Sequence, residues 1–414
     1  MSKPESVGLS SDRLARIDRF LDERYIKTGK LPCAQVKVWR GGKLAHSTLL
    51  GSADIERGKP LSEDSIFRIY SMTKPVTSVA FMMLVEQGLV ALDDPVAKHI
   101  PAWANLGVYD GGTVDGFRTK PCARPMQIVD LLRHTSGLTY GFQQMTNVDA
   151  AYRKLKVGEF VDAGSLDDMI ADLARLPLEF SPGEAWNYSV STDVLGYLVG
   201  KISGRPFPVY LEEEIFKPLG MKDTAFQVRK GEEGRLTACY AVGALGSKQV
   251  ADKPKLQEDP TKSVYLRAPE LVSGGGGLVS TAEDYLRFCR MLLNGGELDG
   301  ARLLSPKTLH LMTANHLPGG QDMATMSRSL FSEANYAGVG FGLGFAVTVD
   351  PALPLIPGSA GDFFWGGAAS TFFWVDPLED LTVVFLTQLL PSSAYPVRRE
   401  LRTLVYSAIT ESFA

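Results

Sequence analysis

The two ends of this 414-residue chain carry the same elements in opposite order, and no other feature narrows the fold as much. Leu14, Ile17, Leu21 and Tyr25 recur at helical spacing after Ser10-Ser11-Asp12, a start of the kind that caps a helix. Ala34 to Arg40 and Leu44 to Leu50 then read as strands around Gly41-Gly42, a pair suited to the left-handed angles of a tight hairpin turn. Near the other end, Phe341 to Val349, Thr371 to Val375 and Leu381 to Leu389 are strand-like. Val397, Leu401, Leu404, Val405 and Ala408 form the apolar stripe of a closing helix.

Between these ends, from Ser71 to about Gly220, the periodicity is mostly helical, at Val76 to Leu92, Met126 to Leu132, Leu166 to Leu176, Thr192 to Ile202 and Pro208 to Phe216. Gly107 to Arg124 reads as a surface excursion. The economical packing is an α+β fold: one mainly antiparallel sheet from both termini, flanked by N- and C-terminal helices, with a mostly helical lobe inserted. The expected division is 1–68 with 222–414 as the sheet domain and 69–221 as the helical domain, with the active site at their junction.

A net charge of −4 gives no basic footprint for nucleic acid, and no block of like charge marks a tail. The polar, charged stretch Met1 to Lys30 has no apolar core of a signal peptide, and no run approaches membrane-spanning length. The expectation is a cytoplasmic protein with neither a nucleic-acid nor a membrane partner. Cys33, Cys122, Cys239 and Cys289 are scattered without paired spacing and read as buried free thiols, and the five histidines lack ligand spacing, so no metal is expected.

The chemistry starts at Ser71-Met72-Thr73-Lys74-Pro75, which follows the apolar run Ile66 to Tyr70 and opens a helical pattern. Residues three apart on a helix are neighbours, so the Ser71 hydroxyl and Lys74 amine share a face. Pro75 lacks an amide hydrogen and is tolerated only in a first turn, which places the helix start at Ser71. Lys74 can take a proton from Ser71 only as a neutral amine, which demands burial and a converging polar group.

Tyr188, in the turn-rich stretch Pro182 to Ser189, is the candidate for that group, though taken alone it reads first as a tyrosine packed at a helix entrance. In Phe363-Phe364-Trp365-Gly366-Gly367-Ala368-Ala369-Ser370 two glycines interrupt an aromatic strand. They permit close approach to the backbone, so that a substrate carbonyl accepts from the amides of Ala368 and Ser71, or they simply bend the sheet.

With those residues in view, the chain resembles the serine β-lactamase-fold proteins of the penicillin-binding superfamily, and most of all the family VIII carboxylesterases. The resemblance runs through Ser71 to Pro75, Leu131-Leu132-Arg133-His134-Thr135-Ser136-Gly137-Leu138, Tyr188-Ser189-Val190, Gly275 to Thr281 and Trp365-Gly366-Gly367. It implies Ser71 as the acylated nucleophile, Lys74 as its base, Tyr188 as proton relay and Ala368 as the second oxyanion amide. Two departures stand out: Val190 replaces the asparagine of a Tyr-x-Asn element, and Trp365 replaces the cation of a Lys-Thr-Gly or His-x-Gly element. Both favour a neutral ester over an anionic peptide or lactam, with Trp365, Gly366 and Gly367 as substrate wall.

His134 and Ser136 lie two apart at a helix end and read as a cap, and no G-x-S-x-G elbow occurs. Gly274 to Gly277 reads as a turn bordering the cleft, with Ser280 and Glu283 as a capping box. Asn315 to Gly340, with Met323, Met326, Phe331 and Tyr336, is a substrate-facing wall or ordinary surface. The resulting expectation is a serine carboxylesterase acting on a small-molecule ester without a cofactor, and the resemblance implies short acyl chains. An acyltransferase, or a β-lactamase or D-Ala-D-Ala peptidase of the same fold, is the near alternative; a non-catalytic scaffold is the distant one.

Overall fold

The computed structural model describes residues 3–160, 163–244, 251–328 and 336–413. Both ends of the chain enter one eight-stranded antiparallel sheet. In chain order its strands are β1 (Cys33–Arg40), β2 (Lys43–Asp54), β3 (Lys59–Pro60), β4 (Val339–Phe341), β5 (Ala346–Thr348), β6 (Phe363–Gly366), β7 (Phe372–Asp376) and β8 (Leu381–Leu386). They are arranged β4-β5-β6-β7-β8-β1-β2-β3, so early and late chain meet where β1 pairs with β8, from Gln35 opposite Leu386 to Arg40 opposite Leu381. Gly41 and Gly42, at φ of +55° and +75°, close the β1–β2 hairpin in the left-handed region that glycine enters without steric cost.

Every residue of β8 is buried, because helices cover both faces of the sheet. Along β7, Phe373 meets Tyr285 of the Ala282–Leu293 helix, whereas Phe372 and Trp374 meet Arg398, Arg402 and Tyr406 of the Val397–Ser407 helix. Successive strand residues point to opposite faces, so these two helices lie on opposite sides. Arg40, fully buried, pairs with Glu379 at 2.6 Å and donates to the carbonyls of Val7, Gly8 and Glu411, which ties both ends of the described chain to the sheet.

The intervening helices Ile128–Leu132, Leu166–Leu173, Ser191–Ser203 and Phe207–Leu211 lie within or next to the predicted segments. Asn147–Lys154, capped by Thr146, has no counterpart in the sequence reading because its apolar stripe is short. Two of these element readings change. The run Phe341 to Val349 is a hairpin, not one strand: Gly344 at φ +100° turns the chain between β4 and β5. The excursion Gly107 to Arg124 is at the surface as expected, in a mostly exposed hairpin of Gly107–Thr113 and Gly116–Pro121. The pattern Val76 to Leu92 stops at Glu86, where Gly88 turns left-handed.

Thr281, not Ser280, caps the Ala282–Leu293 helix, accepting from the Asp284 amide. All four cysteines are free, three of them buried and Cys122 only partly so. Among the described residues no helix is long and apolar enough to cross a membrane.

Candidate active site

Ser71 lies in a 3-10 turn, Tyr70–Met72, that runs directly into the α-helix Thr73–Glu86, so the helix proper starts two residues later than expected. Pro75 falls at its third position, where the missing N–H costs nothing. Tyr70 enters the turn at φ +43°, a left-handed angle that is rare for a bulky residue. The surrounding protein holds it there: Ile69 N donates to Leu278 O at 3.1 Å, Leu278 N to Thr73 Oγ1 at 3.1 Å, and the Tyr285 hydroxyl to Met72 O at 2.8 Å.

Lys74 is 2 % exposed. Its Nζ donates to the Gly275 carbonyl at 2.7 Å, lies 3.0 Å from the Tyr140 hydroxyl and 3.4 Å from Ser71 Oγ. Burial pulls its pKa down to about 7, against the opposing pull of the Asp193 carboxylate. A neutral amine has two N–H donors and one lone pair. Gly275 and Tyr140 accept the two donors, which leaves the lone pair for the third neighbour, Ser71.

Tyr188 joins the pair. Its phenol interacts with Ser71 and lies 3.4 Å from Trp365 Nε1, and its ring centroid is 4.4 Å from Lys74 Nζ. Burial raises its pKa well above the ordinary phenol range, so it holds its proton at neutral pH. His134, Trp186 and Trp365 pack around the ring. His134 is therefore more than a cap. It is buried at φ +57°, kept neutral first by burial and then by the nearby Lys74, and sits 3.2 Å from Ser189 Oγ.

Two site residues have no sequence signal. Tyr140 shares its hydroxyl between Lys74 and Asp193, and Asp193 accepts from the Ser273 hydroxyl and, at 3.0 Å, from the Gly275 amide. Burial raises the Asp193 pKa. In the sequence Asp193 looks like an ordinary acid in a first helical turn, and Tyr140 like an aromatic among turn residues. Gly275 is more than a turn: a Cβ there would lie 2.5 Å from Asp193 Oδ2 and 2.9 Å from the Tyr140 hydroxyl, so only glycine admits both.

Gly366 and Gly367 do allow close approach, but what approaches is the protein itself. A Cβ on Gly366 would strike the Arg398 guanidinium at 2.7 Å, and one on Gly367 would lie 2.2 Å from Thr371 Oγ1 and 2.3 Å from Ile69 O. The second contact sets the turn after β6 against the residues just before Ser71. Ala368, half-buried, faces the same cavity as Ser71.

That cavity measures about 510 Å³ and is walled by Tyr70, Phe142, Phe160, Trp186, Phe364 and Trp365. Tyr336 and Val339 also face it, whereas Met323 and Met326 are core, so the segment Asn315 to Gly340 is wall in part; Phe331 lies outside the described residues. Val190 does not line it. Three arginines reach the rim, and each has a protein partner: Arg398 on Gly367 and Thr371 carbonyls, Arg399 on the Leu355 carbonyl, Arg402 on Asp362.

A sheet built from both ends of the chain, with a serine and a tyrosine lining an apolar cavity and a buried lysine in contact with both, marks a serine hydrolase of the β-lactamase fold. The Beta-lactamase family model matches residues 17–407, and the chain belongs to that family. Protein Rv1367c of Mycobacterium tuberculosis (strain ATCC 25618 / H37Rv) is 38% identical over 366 residues, 88% of this chain and 87% of that protein. Esterase EstB of Burkholderia gladioli is 31% identical over 422 residues, 98% of each chain. The solved structure of EstCE1, a hydrolase with promiscuous acyltransferase activity, matches with a TM-score of 0.79 at 26% identity, over 97% of this chain and 99% of that one.

Proposed function

We propose that this chain is a carboxylesterase of the family VIII type, working in the cytoplasm on neutral, short-chain esters. The observation that carries the reading is the placement of Lys74, buried and within reach of Ser71, with its two N–H donors taken up by Gly275 and Tyr140. Lys74 takes the Ser71 proton as Oγ bonds to the ester carbonyl, and the carbonyl electron pair moves onto oxygen. The amides of Ser71 and Ala368 receive that oxyanion, the kind of contact worth about 3–4 kcal/mol to a transition state. The proton passes from Lys74 through the Tyr188 hydroxyl to the leaving alcohol as its C–O bond breaks. Water, activated by the same groups in reverse, releases the acid from Ser71.

The apolar walls and the engaged arginines support a neutral substrate, and so does Trp365, which by the family resemblance replaces a cation that would meet a carboxylate. Transfer of the acyl group to an alcohol instead of water is the second reading, favoured by the apolar wall beside Ser71 and by the promiscuous acyltransferase activity of EstCE1. The test is mass spectrometry of the intact protein mixed rapidly with a nitrophenyl ester. A single acyl adduct on Ser71, absent in Ser71→Ala, is expected; turnover in Ser71→Ala would end the proposal. Free acid against transferred ester, with an added alcohol, separates the two readings.

A further inference from the structure

The Gly367 carbonyl oxygen accepts two hydrogen bonds, from Arg398 Nη2 at 2.6 Å and from the Ser370 amide at 3.1 Å. That oxygen and the Ala368 N–H are opposite ends of one peptide group. The group is trans, and a trans peptide is planar with its C=O and N–H pointing in opposite directions. Whatever fixes the oxygen therefore fixes the direction of the N–H.

Arg398 does this from a braced position. The same Nη2 donates to Thr371 O at 2.9 Å, which also accepts from the Gly367 amide at 2.9 Å, so the guanidinium bridges both sides of the turn 367–371. It lies 5.5 Å from the centroid of the Phe372 ring. Gly366 is the complementary feature: its φ is not left-handed, and the reason for a glycine is that any side chain there would enter the guanidinium. Ser370, left-handed at φ +67°, is held through its hydroxyl to Leu389 O at 2.7 Å.

We propose that Arg398 is a positioning residue for the oxyanion site: it orients the Gly367–Ala368 peptide so that the Ala368 N–H faces the cavity, and its charge on the carbonyl makes that N–H a stronger donor. A hydrogen bond from a cation polarises the group that accepts it, and the effect is larger away from water. The inference rests on the esterase reading, in which Ala368 receives the oxyanion. It gives the C-terminal helix, which supplies no reacting group, a part in the rate.

The test uses the full chain with Arg398→Lys, Arg398→Ala and Gly366→Ala, the last pushing the guanidinium aside without removing it. Four quantities are read. They are kcat/KM for a small nitrophenyl ester, affinity for a trifluoromethyl ketone that forms an oxyanion on Ser71, affinity for the methyl ketone that does not, and hydrogen exchange over 366–372. Expected are a fall in kcat/KM of roughly 10- to 100-fold, an equal loss for the trifluoromethyl ketone, and methyl ketone affinity within about twofold of the parent. Faster exchange in the turn should accompany them, and millimolar guanidinium should partly restore Arg398→Ala.

Unchanged trifluoromethyl ketone affinity in all three variants overturns the inference. So does an equal loss of both ketones, the mark of a collapsed pocket. A parent protein that forms no adduct on Ser71 removes the esterase reading and this one together, before any variant is needed.

Discussion

Lys74 Nζ lies nearer to the Gly275 carbonyl oxygen, at 2.7 Å, than to Ser71 Oγ, at 3.4 Å. The short contact anchors the amine and the long one leaves its lone pair available, which is the order a base requires. Gly275 also donates its amide to Asp193, so one peptide segment couples the Lys74 amine to a carboxylate on another helix.

In the proposed reaction Lys74 must be uncharged to act as base, and burial pulls its pKa down to about 7. Ester kcat/KM should therefore rise with pH through an acid limb near 7, set by the free enzyme. Stability should follow the same group. Its unfolded pKa is about 10.4, so above pH 7 the unfolded chain binds the extra proton and stability climbs with pH across that window. Denaturant melts at several pH values should show this slope in the parent and not in Lys74→Met.

Asp193 raises the Lys74 pKa, so Asp193→Asn should move the acid limb to lower pH while reducing its height. A pH–rate profile measures both. A limb that stays in place would mean that Asp193 already carries a proton.

Tyr188→Phe should slow acylation by roughly 100-fold, within the range for a lost proton relay, with stopped-flow acylation as the measurement. Trp365→Ala should act differently, since it removes wall area and the indole contact to the Tyr188 hydroxyl. Its main effect should be a changed ratio of kcat/KM between short and longer acyl chains.

Gly367→Ala should fold but lose most activity, because a methyl group there meets Ile69 O and Thr371 Oγ1 and parts the turn from the nucleophile. Circular dichroism together with the ester assay separates these outcomes. Equal activity would mean that the turn is not part of the site.

Arg40→Ala should destabilise the protein by about 3–5 kcal/mol, the cost of leaving a buried partner uncompensated, since Glu379 stays behind at 8 % side-chain exposure. Urea unfolding gives the value. Ester turnover at low temperature should be unaffected.

What was legible in the sequence was local. Ser71 and Lys74 are three residues apart across the turn that opens a helix, and Gly41-Gly42 names its own turn, so neither needs the rest of the fold. Tyr188 was reachable through its motif. Tyr140, Asp193 and Arg398 were not, because each acts through a contact across 66, 82 or 31 residues with no local pattern to mark it. The Phe341 to Val349 run misled for a related reason: in a segment buried on both faces the polar alternation that would mark a break disappears, and only Gly344 remained to signal it.

The contact between Ile69 and Thr371 joins residues 302 positions apart. A ribosome making this chain has displayed Ser71 long before it assembles the turn that carries Ala368. No nascent fragment ending short of that turn holds both halves, so the enzyme stays silent throughout most of its own synthesis.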